Sequence, residues 1–253
     1  MQNILKITFT TICILITSAT TYAADKLASK EELYEGPEYA KAFADPKDTN
    51  LPNVLLIGDS ISNAYTVDVR KQLKGKADVF RIPSNGKNSA FGAQNIDHWL
   101  KANKWDLIHF NWGLWDICYR NPKAKTQGHR DKLNGKITAT PEQYKKHITS
   151  LVATLKKSGA KLIWCATTPV PDNELGRIKG DEIKYNKIAQ VIMEKNHIAI
   201  NDLHSHAMKK LKTIQIKGSK RKGGDVHFTT EGSAYLAKKV ASEILPYLEA
   251  KTK

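Results

Sequence analysis

Asn53-Val54-Leu55-Leu56-Ile57-Gly58-Asp59-Ser60-Ile61-Ser62 is the stretch that decides the fold. Its short apolar run reads as a buried strand. Gly58 ends the run, and Asn63 to Leu73 carries a helical pattern with Tyr65, Val69 and Leu73 on one side. Ser60 therefore stands where a strand turns into a helix. At a helix N-terminus, free backbone N–H groups and the positive end of the dipole favour a developing negative charge. That suits a nucleophile and one wall of an oxyanion hole. The same serine also reads as a plain N-cap with no chemistry.

A second stretch lies near the other end: Gly223-Gly224-Asp225-Val226-His227-Phe228-Thr229-Thr230-Glu231-Gly232. Asp225 and His227 stand two apart, so in an extended segment they point to the same side. The carboxylate can then reach the imidazole Nδ1 and hold its tautomer, leaving Nε2 to take a serine proton. Thr229 or Thr230 caps the helix that follows, and Glu231 suits its first turn. An Asp-x-His alone also reads as a loop histidine beside a cap. It gains its meaning from the serine at the other end of the chain.

Between these ends, strands alternate with helices. Strands are expected at Val54–Ile57, Val79–Ile82, Leu107–Phe110, Leu162–Ala166 and Ile198–Ile200. Helices are expected at about 61–74, 89–103, 141–158, 181–196 and 230–249. Such alternation implies βαβ units and a parallel sheet covered on both faces. Ligands then bind at the carboxyl ends of the strands. Ser60, Gly86, Trp115 and Thr167-Thr168-Pro169-Val170-Pro171 all follow strand ends and should share one edge.

With these residues in place, the chain resembles the SGNH (GDSL-type) hydrolases, serine esterases and lipases. The resemblance covers nearly the whole mature chain. It implies a flavodoxin-like, three-layer α/β/α sandwich with a parallel sheet of about five strands. It makes Ser60 the nucleophile, within Gly58-Asp59-Ser60, and Asp225 and His227 the other triad members. Asn85-Gly86-Lys87-Asn88-Ser89-Ala90-Phe91-Gly92 fits the second block, so the N–H of Gly86 would join that of Ser60 in the oxyanion hole. Two departures stand out. The third block usually reads Gly-x-Asn-Asp, with the Asn amide as an oxyanion donor. Here Asn111-Trp112-Gly113-Leu114-Trp115-Asp116 puts Trp115 in that place. An indole N–H supplies one donor, and Asn111, four residues earlier, is the alternative. The Asp-to-His spacing is two, where three is common.

The first 23 residues read as a secretory signal, with Lys6 before an apolar run from Ile7 to Ile16 and Thr21-Tyr22-Ala23 as the cleavage site. The run is too short to span a membrane, and no other stretch reaches the ~20 apolar residues required. The expected organisation is a signal at 1–23, an N-terminal arm at 24–52 and one hydrolase-like domain at 53–253, in a secreted or periplasmic protein. Cys118 and Cys165 remain after cleavage. They sit near strand ends and read as small apolar packing residues, with pairing as the alternative. No zinc spacing appears, and His204 and His206 lack a completing ligand nearby, so no metal or cofactor is expected.

The 253 residues carry a net charge of +15. Two basic segments adjoin the expected site edge. One runs from Tyr119 to Pro141 with Arg120, Lys123, Lys125, His129, Arg130 and Lys132. The other holds Lys209, Lys210, Lys212, Lys217, Lys220, Arg221 and Lys222. They read either as a solvated surface or as a means of concentrating anionic substrates. No nucleic-acid motif appears, so nucleic acid is not an expected partner. The expected function is hydrolysis of short acyl esters, O-acetyl groups above all, on a carbohydrate or anionic polysaccharide. That substrate class follows from the resemblance, with Trp112, Trp115 and Tyr119 as candidate aromatic rings for sugar, at least one of which reads instead as core. The alternatives are a lipase or thioesterase with the same triad, and a non-catalytic carbohydrate-binding protein on a degenerate hydrolase fold.

Overall fold

The computed structural model describes residues 39–46, 50–217 and 224–249. The expected signal, most of the arm, Lys220, Arg221, Lys222 and Gly223 lie outside the described residues. The described residues include seven strands: β1 (Asn53–Ile57), β2 (Asp78–Arg81), β3 (Leu107–Phe110), β4 (Tyr119–Arg120), β5 (Lys136–Ile137), β6 (Lys161–Cys165) and β7 (Ala199–Asn201). Five of them form one parallel sheet in the order β2-β1-β3-β6-β7. The helices are α1 (Tyr39–Phe43), α2 (Ser60–Gln72), α3 (Ser89–Lys101), α4 (Pro141–Lys157), α5 (Asp181–Lys195), α6 (Leu203–Met208), α7 (Leu211–Ile214) and α8 (Thr230–Glu249). Helices α2 and α8 pack together in one layer, while α4 packs between α3 and α5 in the other. This is the expected α/β/α sandwich, and each of the five expected strands and five expected helices is found within a few residues of its place.

Local chemistry explains the helix starts. Asp59 caps α2, Asn88 caps α3 and Asp202 caps α6, each accepting a backbone N–H from the first turn. Thr140 opens α4 with a capping box shared with Gln143, and Pro141 follows with its φ already set for the helix. Thr229, rather than Thr230, caps α8, its hydroxyl accepting from the N–H of Gly232 at 3.0 Å. The sheet is apolar on both faces, as two helical layers require: Val54, Leu55, Leu56 and Ile57 are all buried. His109 in β3 is a buried exception. Burial lowers its pKa to about 3, so it stays neutral, with Nε2 placed 3.1 Å from the Asn201 amide.

Two features depart from the expected arrangement. The polar insertion after β3 contains an antiparallel hairpin, Tyr119 pairing with Ile137 and Arg120 with Lys136. It is stitched to the loop after β6 by Tyr119 N–H to the Gly176 carbonyl (2.6 Å) and Lys132 N–H to the Leu175 carbonyl (3.0 Å). The arm, which lacks a strong period, contains α1. There Arg70 from α2 donates to the carbonyls of Lys41 (2.7 Å) and Ala42 (3.2 Å). In both places partners remote in sequence supply what local patterning does not.

Tyr144 of α4 lies wholly inside, and its hydroxyl donates to the Trp112 carbonyl at 2.8 Å. Thr167 donates to the same carbonyl at a longer 3.3 Å. Tyr144→Phe is therefore expected to lower unfolding free energy by about 1 kcal/mol, the usual net worth of one buried hydrogen bond. Urea unfolding measures this; an unshifted midpoint would mean that Thr167 alone satisfies the carbonyl.

Candidate active site

The β1–α2 turn is built so that its serine hydroxyl is left available. Asp59 takes the capping duty, accepting from the Ile61 N–H at 3.0 Å. Ser60 becomes the first residue of α2, where backbone N–H groups have no intrahelical acceptor. Arg81, the last residue of the neighbouring β2, braces the turn by donating to the Gly58 carbonyl (2.7 Å) and to Ser62 Oγ (2.6 Å). Ser62 passes the constraint on by donating to the Asp59 carbonyl at 2.9 Å. Burial raises the pKa of Asp59, opposed by its bond to the Ile61 N–H and by the charges of His227, Arg177 and Arg81.

The opposite wall is the loop before α8. His227 Nε2 lies 2.8 Å from Ser60 Oγ, across 167 positions of sequence. Its Nδ1 lies 2.6 Å from Asp225 Oδ1, and the same oxygen accepts the His227 backbone N–H at 3.0 Å. The second bond is how a two-residue spacing closes: the carboxylate folds back on its own loop and meets the ring there. Burial pushes the Asp225 pKa up, but the His227 bonds and charge, with Arg130 behind, outweigh it and hold it at about 2. The loop is held from both sides. Ile216 N–H donates to the His227 carbonyl (3.0 Å), and Gly224 N–H donates to the Asn173 carbonyl (2.9 Å).

The expected oxyanion donors fare unequally. The N–H of Gly86 donates to the Gly58 carbonyl at 2.9 Å, so in this geometry it braces the turn that carries Ser60. The contact is close because residue 86 is glycine: a Cβ there would lie 2.7 Å from the Gly58 oxygen. Asn111 is also committed, its Nδ2 donating to the Cys165 carbonyl (2.7 Å) and to Thr167 Oγ1 (3.2 Å). In both cases the polar group closes the fold, Gly86 at the β1–α2 turn and Asn111 against the end of β6. Trp115 differs. It lines the pocket with Ser60, Asp225 and His227, and its indole N–H makes no hydrogen bond to another described residue.

The aromatic expectations sort cleanly. Trp112 is core, its Nε1 donating to the Gly86 carbonyl at 3.1 Å. Trp115 is only 5% exposed, and the Arg120 guanidinium sits 5.0 Å over its ring, so it presents no open face for a sugar. Cys118 and Cys165 are buried and form no disulfide. His204 lies 3.8 Å from a Glu182 oxygen and His206 stacks on Tyr235, both structural roles. Among the described residues no group of acidic, histidine or cysteine side chains is arranged to hold a metal.

The pocket over Ser60 encloses about 390 Å³, counting its open mouth. Sequence reasoning missed three of its contributors: Gln127, Arg177 and, just behind, the buried Glu174. Arg130 was visible only as one cation among many in a basic insertion. Nothing in the pattern around Arg177 or Glu174 marks them, because their importance comes from the contact between the insertion and the loop after β6.

A parallel sandwich carrying a Ser–His–Asp relay at the carboxyl edge of β1 defines the structural class. No family model and no curated protein matches the chain. Solved structures do. An acetyl xylan esterase (AlAXEase) superposes with a TM-score of 0.59 at 18% identity, covering 76% of this chain and 99% of its own. An acetylxylan esterase from Geobacillus stearothermophilus gives 0.59 at 20% identity, covering 76% and 94%. A putative GDSL-like lipase from Parabacteroides merdae gives 0.61 at 15% identity, covering 79% and 100%. The chain thus has the fold of the GDSL-type acylhydrolases.

Asp225 also makes a pH prediction. Its pKa is depressed from 3.8 to about 2 in the folded protein, so it adds stability above the unfolded value that is lost as pH falls through the folded one. Asp225→Asn should therefore be less stable than the parent at pH 7, by roughly 2 kcal/mol. The gap should close as pH falls from about 4 toward 2. Urea unfolding of both proteins across this range measures it, and a gap that does not change with pH contradicts the depressed value.

Proposed function

We propose that the chain is an exported serine esterase that removes short acyl groups, acetyl above all, from carbohydrate. The observation that carries this reading is the unbroken relay from Asp225 through His227 to Ser60, at 2.6 and 2.8 Å, ending at the start of a helix. Ser60 Oγ attacks the ester carbonyl carbon while His227 Nε2 takes its proton. Asp225 holds the ring and offsets the positive charge that forms on it. The tetrahedral oxyanion meets the Ser60 N–H at the positive end of α2. The indole N–H of Trp115 is the side-chain donor in the place of the family's usual amide. Collapse of the intermediate breaks the ester C–O bond, and His227 returns its proton to the departing sugar oxygen. Water, deprotonated by His227, then cleaves the acyl-enzyme and releases the acid.

The short acyl group is supported by the pocket, which is small and edged by charged side chains where a lipase needs a long apolar cleft. Two of the similar structures are acetyl xylan esterases, which supports a carbohydrate as the alcohol. The secretory signal read from the sequence supports export, and no described helix is long and apolar enough to cross a membrane. A non-catalytic binder is less favoured, because a degenerate site has no reason to keep both relay distances.

Hydrolysis of 4-nitrophenyl acetate, butyrate and octanoate tests the reading directly. Activity should be highest on acetate and should vanish in Ser60→Ala, which removes only one oxygen. Asp225→Asn should reduce turnover by about 10⁴, as when a serine triad loses its carboxylate. Retained turnover in Ser60→Ala would remove the serine mechanism. Trp115→Phe keeps most of the ring and removes its one donor, so turnover should fall by about 10² if the indole serves the oxyanion. A change of less than twofold would return Trp115 to packing.

A further inference from the structure

The charged groups around Ser60 are layered. Glu174 has no exposed side-chain surface, and one of its oxygens accepts from both Arg130 Nη1 and Arg177 Nη1, each at 3.0 Å. Its other oxygen accepts the Gly176 N–H at 2.6 Å. Arg177 is anchored again by donating from Nε to the Leu114 carbonyl at 2.6 Å. Arg130 is anchored by Nε to the Gln127 carbonyl at 3.1 Å. The carboxylate therefore lies behind, and the two guanidinium groups lie in front, on the wall of the pocket that holds Ser60 and His227.

The other charges there are accounted for. Asp225 is committed to His227, and Asp59 lies beneath the nucleophile with its pKa raised by burial. Arg120 covers Trp115. Arg130 is 10% exposed, with its charge felt at Asp225, and its Nη2 donates to no other described residue. A guanidinium held at two of its nitrogens keeps its plane fixed, so an incoming oxyanion meets a preorganised edge at little further entropic cost.

We infer that Arg130, with Arg177 beside it, forms a subsite for an anionic oxygen group, carboxylate or sulfate, borne by the sugar that carries or adjoins the ester. This rests on the esterase reading and deepens it: the substrate is an acylated acidic carbohydrate. A guanidinium bonded to an anion contributes enough to change affinity about ten- to a hundredfold.

Two measurements decide it. The first compares kcat/KM on acetylated galacturonan, sulfated and acetylated galactan, and acetylated xylan oligosaccharides. One of the two acidic substrates should exceed the neutral one by at least tenfold at low salt, and the preferred one identifies the anion. Arg130→Gln should collapse that ratio chiefly through KM, and Arg130→Lys should restore only part of it, since a lysine keeps the charge and loses the fork. If Arg130 merely supports the Asp225–His227 loop, kcat falls equally on all three substrates, the ratio stays, and the subsite is overturned. The second is calorimetry of non-acetylated galacturonan, sulfated galactan and xylan oligosaccharides with Ser60→Ala and with Ser60→Ala/Arg130→Gln. Tighter binding of one acidic oligosaccharide, lost in the double variant, supports the subsite; equal binding of all three overturns it. Hydrolysis of 4-nitrophenyl acetate separates the two ideas. Activity there with no acidic preference leaves the esterase and removes the subsite, and no activity on any ester removes the esterase while calorimetry still reads the subsite.

Discussion

Asp59 caps helix α2 in place of Ser60, and the rest of the site depends on that division of labour. A serine at a helix start is ordinarily drawn into satisfying the free N–H groups of the first turn. Here the residue before it accepts from Ile61, so the Ser60 hydroxyl is left to face His227. The turn that makes this possible is sharp, and its backbone is held by partners from elsewhere. The Gly58 carbonyl receives both the Arg81 guanidinium and the Gly86 N–H. Ser60 is thus held in place by bonds to the backbone of its turn, while its hydroxyl oxygen remains 2.8 Å from His227 Nε2.

The same economy explains why the oxyanion side differs from the resemblance. Gly86 and Asn111 are two of the expected donors, yet each closes a gap in the fold: one at the turn that carries Ser60, the other between β3 and the end of β6. A buried donor with a backbone carbonyl in reach is satisfied there, because leaving either group unpaired is costly. Trp115 is free of such duty. Asp116, next to it, accepts the N–H and hydroxyl of Ser89 at the start of α3. Burial carries its pKa to about 7, opposed by those bonds. The loop that carries Trp115 is therefore tied to the start of α3.

Glu174 plays the corresponding part on the far wall. One buried carboxylate gathers Arg130 from the insertion, Arg177 from its own loop and the Gly176 backbone. Its neighbour Asn173 receives the Gly224 N–H, just before the Asp225–His227 pair. Charge on the pocket wall and placement of the histidine loop are consequently set by one cluster. Removing one partner of such a buried group leaves the others uncompensated, which is why the effects of Arg130 and of the loop need separate readouts.

Periodicity and punctuation in the chain determined the five central strands, the five long helices and the two stretches that bear Ser60, Asp225 and His227. These are local facts: an apolar run, a glycine stop, a cap and a two-residue spacing each follow from neighbours within one turn or strand. The hairpin β4–β5 and the short helix α1 were not legible, since hydrogen bonds to Gly176, Leu175 and Arg70 create them. Nor was the fate of each donor. Sequence offers Gly86 as a backbone donor and Trp115, with Asn111 as its alternative, as a side-chain donor, and only the tertiary structure shows that Gly86 and Asn111 each have a carbonyl within 3 Å to occupy them. The physical reason is that a donor's availability depends on every group packed around it. Those groups come from β1, β6 and an insertion that meet only when the sheet has formed.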